Sequence, residues 1–329
     1  MNHWFVFEVT TLCDKRCPLC CNDSMSKGAV MNFDVLAGKL DEAREFSATR
    51  GLKPSLVFTG GEAFLYRENT AAGARNLADI VALAKAKVPG AAVYVKTSGF
   101  SANPYLDGLF DRLAAKYNQD ELKVRLGINA YQRSGRDLVE RFSHMLEKLL
   151  PRQDVVTVDT IYDKANLERT CADIEEVLVR HGFLSAAKGQ LFAAVKKDPN
   201  KHLRLKFTAG GKELFLDLGP AYTPTGTCGG DCYDERVTGP CATIENGSNA
   251  LYYNARFDLI HCNDSFVDGS VKPLSGAALP TMAAQHDFLQ KRYAQLKEEL
   301  KARAPFGSRK DRCFYCTKFM MAPRVAEPV

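Results

Sequence analysis

Three observations predict an α/β protein built on a parallel sheet. Short β-branched and aromatic runs alternate with amphipathic stretches of helical period, five times in series. The residues that could carry chemistry, a cysteine cluster and two glycine-containing turns, fall directly after strand-like runs. The length, 329 residues, suits one large domain and a smaller one.

The elements follow in order. HWFVFEV (3–9) reads as the first strand, and Phe33, Leu36, Leu40 and Ala43 then recur at helical spacing. SLVF (55–58) is a second strand ending at Thr59-Gly60-Gly61, before a helix face of Leu77, Ile80, Val81 and Ala84 that stops at Pro89-Gly90. VYVK (93–96) precedes Leu106, Leu109, Phe110 and Leu113. VRLGI (124–128) precedes Leu138, Phe142, Met145 and Leu149. VVTV (155–158) precedes Leu167, Cys171, Ile174 and Leu178, with Cys171 on the apolar stripe as a core residue. Five β-α units in series imply right-handed crossovers that place helices on a face of the sheet. Such sheets carry their chemistry in the loops after the carboxyl ends of the strands.

After about residue 185 the pattern changes. LRLKF (203–207), Gly210-Gly211 and ELFLDL (213–218) form either a hairpin or a sixth strand with an insertion. From about 223 the chain is loop-rich, apart from a helix with Leu289, Tyr293, Leu296 and Leu300 on one face. This part holds six of the eleven cysteines: Cys228, Cys232, Cys241, Cys262, Cys313 and Cys316.

A formal net charge of +5 is too mild, and its cations too scattered, for a nucleic-acid partner. No stretch approaches the roughly 18 apolar residues of a membrane span. MNHWFVFEVTTLC also lacks the basic leader and apolar core of a signal peptide. The expected compartment is the cytoplasm, where thiols stay reduced and serve as metal ligands, reactive groups or core residues.

Cys13, Cys17 and Cys20 stand as C-x3-C-x2-C just after the first strand. Three thiolates on one short loop can wrap one face of a cubane iron–sulfur cluster and leave one iron open. Zinc is the other reading, although it prefers four closed ligands in two separated hooks. Cys21 would not easily complete such a site, because adjacent residues of extended chain point in opposite directions.

C-x3-C-x2-C at this position resembles the signature of the radical S-adenosylmethionine (SAM) enzymes. Two more motifs match in order. FTGGEAFL (58–65) is similar to the family's GGE turn after strand two, and VKTSGF (95–100) to its turn after strand three. The resemblance covers residues 1–222 and implies a partial (β/α)6 TIM-type barrel. It also implies a [4Fe–4S] cluster on Cys13, Cys17 and Cys20 whose open iron binds SAM. Gly60, Gly61, Glu62, Thr97, Ser98 and Asn129 would lie against SAM. The family's chemistry is a 5′-deoxyadenosyl radical that abstracts a substrate hydrogen, with electrons from a flavodoxin- or ferredoxin-type reductant. Leu19 departs from the usual aromatic residue, Ser98 from the usual Asn, and Asn129-Ala130-Tyr131 from the usual Ser or Asp after strand four.

Residues 223–329 resemble the shortened SPASM extension called a twitch domain. There Cys241, Cys262, Cys313 and Cys316 would hold a second [4Fe–4S] cluster, although paired hooks suit zinc equally well. Phe257 replaces the usual hairpin glycine, so a different turn is expected. The nearest resemblance is to small enzymes that modify ribosomally made peptides, peptide epimerases among them. The expected substrate is therefore a peptide, to be epimerised or cross-linked. Cys228 and Cys232 are candidate hydrogen donors, since Asn263 stands where those epimerases keep a spare cysteine. Radical oxidation, dehydration or decarboxylation of a sugar, aminoglycoside or nucleoside is the alternative, and a non-enzymatic zinc- or cluster-binding protein the second. The barrel starts at residue 3, so a winged-helix leader-binding module is not expected ahead of it.

Overall fold

The strand β1 (Asn2–Thr10) sends Phe5, Phe7 and Val9 to one side and Trp4, Val6 and Glu8 to the other, the alternation that a pleated strand requires. Phe5 meets Phe46 of α1 (Phe33–Thr49) with ring centroids 5.9 Å apart. Odd positions therefore face the helices and even positions the inner face, where Trp4 packs on Tyr94 at 5.1 Å. The computed structural model describes residues 2–15, 17, 28–71, 73–100, 102–129, 138–199, 202–220, 244, 249–261, 266–267, 270–271, 274, 279–306 and 309–321.

After α1, whose first turn is capped by the Asn32 side chain, comes β2 (Lys53–Gly60). A small hairpin of β3 (Arg67–Thr70) and β4 (Gly73–Asn76) follows, which periodicity does not foretell. Next are α2 (Leu77–Lys87), β5 (Ala92–Thr97), α3 (Pro104–Lys116), β6 (Leu122–Gly127), α4 (Leu138–Leu149), β7 (Val155–Tyr162) and α5 (Leu167–Arg180). Like α1, α2 and α3 start where an Asn side chain, Asn76 or Asn103, accepts orphan backbone N–H groups. A short α6 (Gln190–Lys196) leads to β8 (Leu203–Ala209) and β9 (Lys212–Pro220). Both sequence readings of this segment hold: β8 and β9 form a hairpin, and β9 is the sixth parallel strand, beside β7.

Beyond it, β10 (Ala250–Tyr253) and β11 (Leu259–Ile260) join the opposite edge, β10 parallel to β1. Among the described residues the main sheet thus runs β11-β10-β1-β2-β5-β6-β7-β9-β8. The arrangement is the α/β class with a parallel sheet that the sequence predicts. Phe257 takes a φ of 64° in the β10–β11 turn. The residue thus takes the left-handed conformation that glycine favours, at the position where the resemblance puts a glycine. Asn254 steadies it by accepting hydrogen bonds from the Arg256 and Asp258 backbone at 2.9 Å each. A helix, Met282–Arg303, docks beside α1 through Arg50 and Asp287, 2.7 Å apart. Cys313 and Cys316, expected in a loop, lie on a last helix, Arg309–Met321.

Candidate functional site

The three sequence motifs meet at the carboxyl ends of β1, β2 and β5. The loop after β1 is clamped at its base. Thr11 N–H donates to Ala29 O at 2.9 Å, and Met31 N–H to Val9 O at 2.8 Å. The Thr11 hydroxyl accepts from Ala29 N at 2.7 Å. Cys13 is buried and Cys17 half-buried at the start of this loop. The buried Lys15 points its backbone N–H at the Cys13 sulfur, 3.5 Å away. Burial pushes the Cys13 thiol up to about 11, so it is protonated until a bound cation compensates its charge. Cys20 and Cys21 lie outside the described residues.

Gly60 and Gly61 press against that loop. Gly61 N–H donates to Thr10 O and Glu62 N–H to Leu12 O, each at 2.8 Å. A side chain on Gly61 would stand 2.3 Å from Leu12 O and 2.9 Å from the Cys13 Cβ. Gly60 has a φ of 140°, and a side chain there would sit 2.1 Å from Thr10 O. Gly60 is therefore required by close approach of the end of β1, and Gly61 by that of the cysteine loop.

Glu62 ties the second motif to the third. Its buried carboxylate accepts from Thr97 Oγ1 at 2.7 Å, Ser98 Oγ at 2.6 Å and Ser98 N at 2.9 Å. It also caps the short turn after it, accepting from Phe64 N at 3.2 Å. Behind Ser98, the buried Arg141 of α4 donates to its carbonyl at 3.1 Å. Sequence reading missed Arg141. The available signal was a cation between Leu138 and Phe142 on the apolar stripe of a helix. Asn129 follows β6 on the same edge, beside Ile128, whose N–H donates to Asp159 O at 2.9 Å.

The C-terminal cysteines are reached in part. Cys316 Sγ stands 3.7 Å from Nε2 of His261, at the end of β11. Complete burial lowers the His261 imidazole to about 4 and keeps it neutral. Tyr293 OH donates to the His261 carbonyl at 2.9 Å. Cys313 lies one helical turn before Cys316, on a neighbouring position of the same face. Cys228, Cys232, Cys241 and Cys262 lie outside the described residues, as do Leu19, Ala130, Tyr131 and Asn263. Among the described residues, no three Cys, His, Asp or Glu side chains already stand grouped around one metal position.

No protein-family model matches the sequence, and no curated protein is matched by it. Among solved structures, the chain is similar to one described as hexahistidine-tagged anSMEcpe with bound AdoMet. That match has a TM-score of 0.53 and 11% identity, over 97% of this chain and 96% of that one. A second is Streptococcus suis SuiB bound to precursor peptide SuiA, with a TM-score of 0.40 and 10% identity over 98% and 71% of the two chains. The first likeness is one of fold, and the second adds nothing to it.

Proposed function

We propose that this chain is a radical SAM enzyme acting on a peptide. The observation that carries the reading is the convergence of Cys13, Gly60-Gly61-Glu62 and Thr97-Ser98 on one edge of a parallel sheet. The Glu62 carboxylate joins the last two motifs by direct hydrogen bonds. A solved structure that shares its fold is described with AdoMet bound. Cys13, Cys17 and Cys20 would hold a [4Fe–4S] cluster, and the site's chemistry fits one. The Cys13 sulfur is buried and accepts from the Lys15 backbone N–H, a setting that suits a cluster ligand. With SAM, such a cluster supplies a 5′-deoxyadenosyl radical when reduced.

The chain's own groups then have defined tasks. Gly60 and Gly61 hold the cysteine loop against β2. Glu62 fixes the Ser98 turn so that Ser98 and Asn129 line one edge for SAM. Cys313 and Cys316, with Cys241 and Cys262, would hold a second metal centre in a C-terminal unit of residues 223–329. Cys228 or Cys232 would return hydrogen to the substrate if the reaction is epimerisation. A flavodoxin- or ferredoxin-type protein would deliver the electrons in the cytoplasm.

The test is anaerobic reconstitution with iron and sulfide, followed by reduction with SAM. The expected result is 5′-deoxyadenosine, lost when Cys13, Cys17 and Cys20 are changed together to Ala. Full SAM cleavage by that triple variant would overturn the reading.

A further inference from the structure

The inner face of the sheet carries an imbalance of charge close to the proposed cofactor edge. Register places Lys96 of β5 beside Arg125 of β6, and Gly127 of β6 beside Asp159 of β7. Lys96 Nζ lies 3.1 Å from one Asp159 carboxylate oxygen, and Arg125 Nη2 lies 3.6 Å from the other. Two cations thus share one carboxylate, and the second contact is too long for a hydrogen bond. Lys123, one inward-facing position below Arg125 on β6, is exposed with no ion-pair partner among the described residues.

On the same face, the two cations of the β8–β9 hairpin are balanced. Arg204 pairs with Asp217 at 3.6 Å and Lys206 with Glu213 at 2.5 Å. Glu8, the remaining acidic residue of this face, lies two strands from Lys96, on β1. Lys53 of β2, the other cation of this face without an ion-pair partner among the described residues, lies at the amino end of its strand, so the excess toward the cofactor edge is Lys96, Lys123 and Arg125.

Their position is specific. Lys96 immediately precedes Thr97 and Ser98, which Glu62 holds in place. Gly127 makes room for it, since a side chain there would stand 3.3 Å from the Lys96 Cε. The side chains of Lys96 and Arg125 remain 45% and 37% accessible, so a ligand can reach them.

We propose that Lys96, Arg125 and Lys123 form a carboxylate-binding site that holds an acidic side chain of the peptide substrate on the inner face. Asp159 occupies it as an internal carboxylate with which the substrate competes. The positioning role rests on the radical SAM reading, whereas affinity for carboxylates does not.

The test uses the full-length reconstituted protein and a fluorescein-labelled nonapeptide of alternating Glu and Gly, with its Lys counterpart for comparison. Anisotropy should show the Glu peptide binding about tenfold or more tightly than the Lys peptide. Lys96→Ala and Arg125→Ala should each weaken it about fivefold or more, and Asp159→Asn should tighten it by removing the competing charge. SAM affinity, read by equilibrium dialysis, should not move in these variants. Glutarate that displaces the peptide at equal carboxylate concentration would support the site but assign it to small acids. Equal binding of both peptides, weakened binding by Asp159→Asn, or loss of SAM affinity in Lys96→Ala and Arg125→Ala would each overturn the proposal. Selective binding of the Glu peptide by protein that cleaves no SAM would leave this site standing and sink the enzymatic reading alone.

Discussion

Gly61 illustrates how one hydrogen in place of a side chain decides whether a site can form. The atoms that a Cβ would meet there belong to the Leu12 backbone and to Cys13, and backbone cannot swing aside as a flexible side chain can. Gly61→Ala should therefore lower stability by about 2 kcal/mol and reduce the iron retained per chain. Urea denaturation and an iron assay check both. Gly38, exposed within α1 with nothing near its missing side chain, gives the contrast. Gly38→Ala should raise stability by about 0.5–1 kcal/mol, because helix entropy is all it changes. Glu62→Gln tests the neighbouring bond network. A Gln amide offers one acceptor oxygen, whereas Thr97 and Ser98 present three donors. Loss of charge-assisted bonds in a buried place should cost about 1.5–3 kcal/mol, and SAM binding should weaken as the Ser98 turn loosens.

Among the elements, β1 carries two buried ionisable groups that oppose each other. Burial raises the Glu8 carboxyl from 4.5 to about 7, although the Ala255 backbone N–H partly offsets this. Burial, followed by the charges of His286 and Arg50, lowers the His3 imidazole from 6.5 to about 4. Folded Glu8 keeps its proton longer than unfolded Glu8. Its contribution is full below pH 4.5 and is lost as pH rises toward 7. Folded His3 gives its proton up sooner, so its contribution is full above pH 6.5 and is lost as pH falls toward 4. Between about pH 4.5 and 6.5 the two slopes largely cancel. Relative to wild type, Glu8→Gln should make stability rise more steeply with pH across that window, and His3→Phe should make it rise less steeply. Each difference should amount to about 2–3 kcal/mol at most, measured as urea midpoints near pH 5, 6 and 7. Parallel profiles for wild type and both variants would refute the assignment.

Across the whole molecule, the sheet does not end where the sequence changes character. β10, from beyond residue 222, pairs with β1 along Trp4 to Phe7. Tyr253 stacks on Phe7 at 5.6 Å and donates to Gln285 at 2.5 Å. The helix Met282–Arg303 lays His286 on Phe46 at 5.2 Å. A fragment of residues 1–222 would expose the β1 edge and the apolar side of α1, and an open strand edge invites association. Burial of Tyr253 alone contributes about 2–3 kcal/mol. The fragment should therefore aggregate, while the full chain melts in a single transition by calorimetry. A soluble fragment with its own cooperative melt would show that the two parts fold separately.

Much of this could be read from residue order. Period and composition define the five β-α units, because a half-buried strand or helix writes its own spacing into the chain. The motif residues also fall at strand ends, where a parallel sheet carries its chemistry. Neighbour identity is a different kind of information. Glu62 and Ser98 are 36 residues apart, and only the parallel register of β2 and β5 brings them to 2.6 Å. Arg141 joins them because the crossover helix α4 returns over that edge. Lys96, Arg125 and Asp159 are ordinary residues of three separate strands and become one charged cluster when the strands lie side by side. The left-handed Phe257 and the helix beneath Cys313 and Cys316 likewise answer to their surroundings, since local preference argues against one and is silent on the other. Spacing along a chain says which face a residue takes, and packing between distant segments says what it meets there.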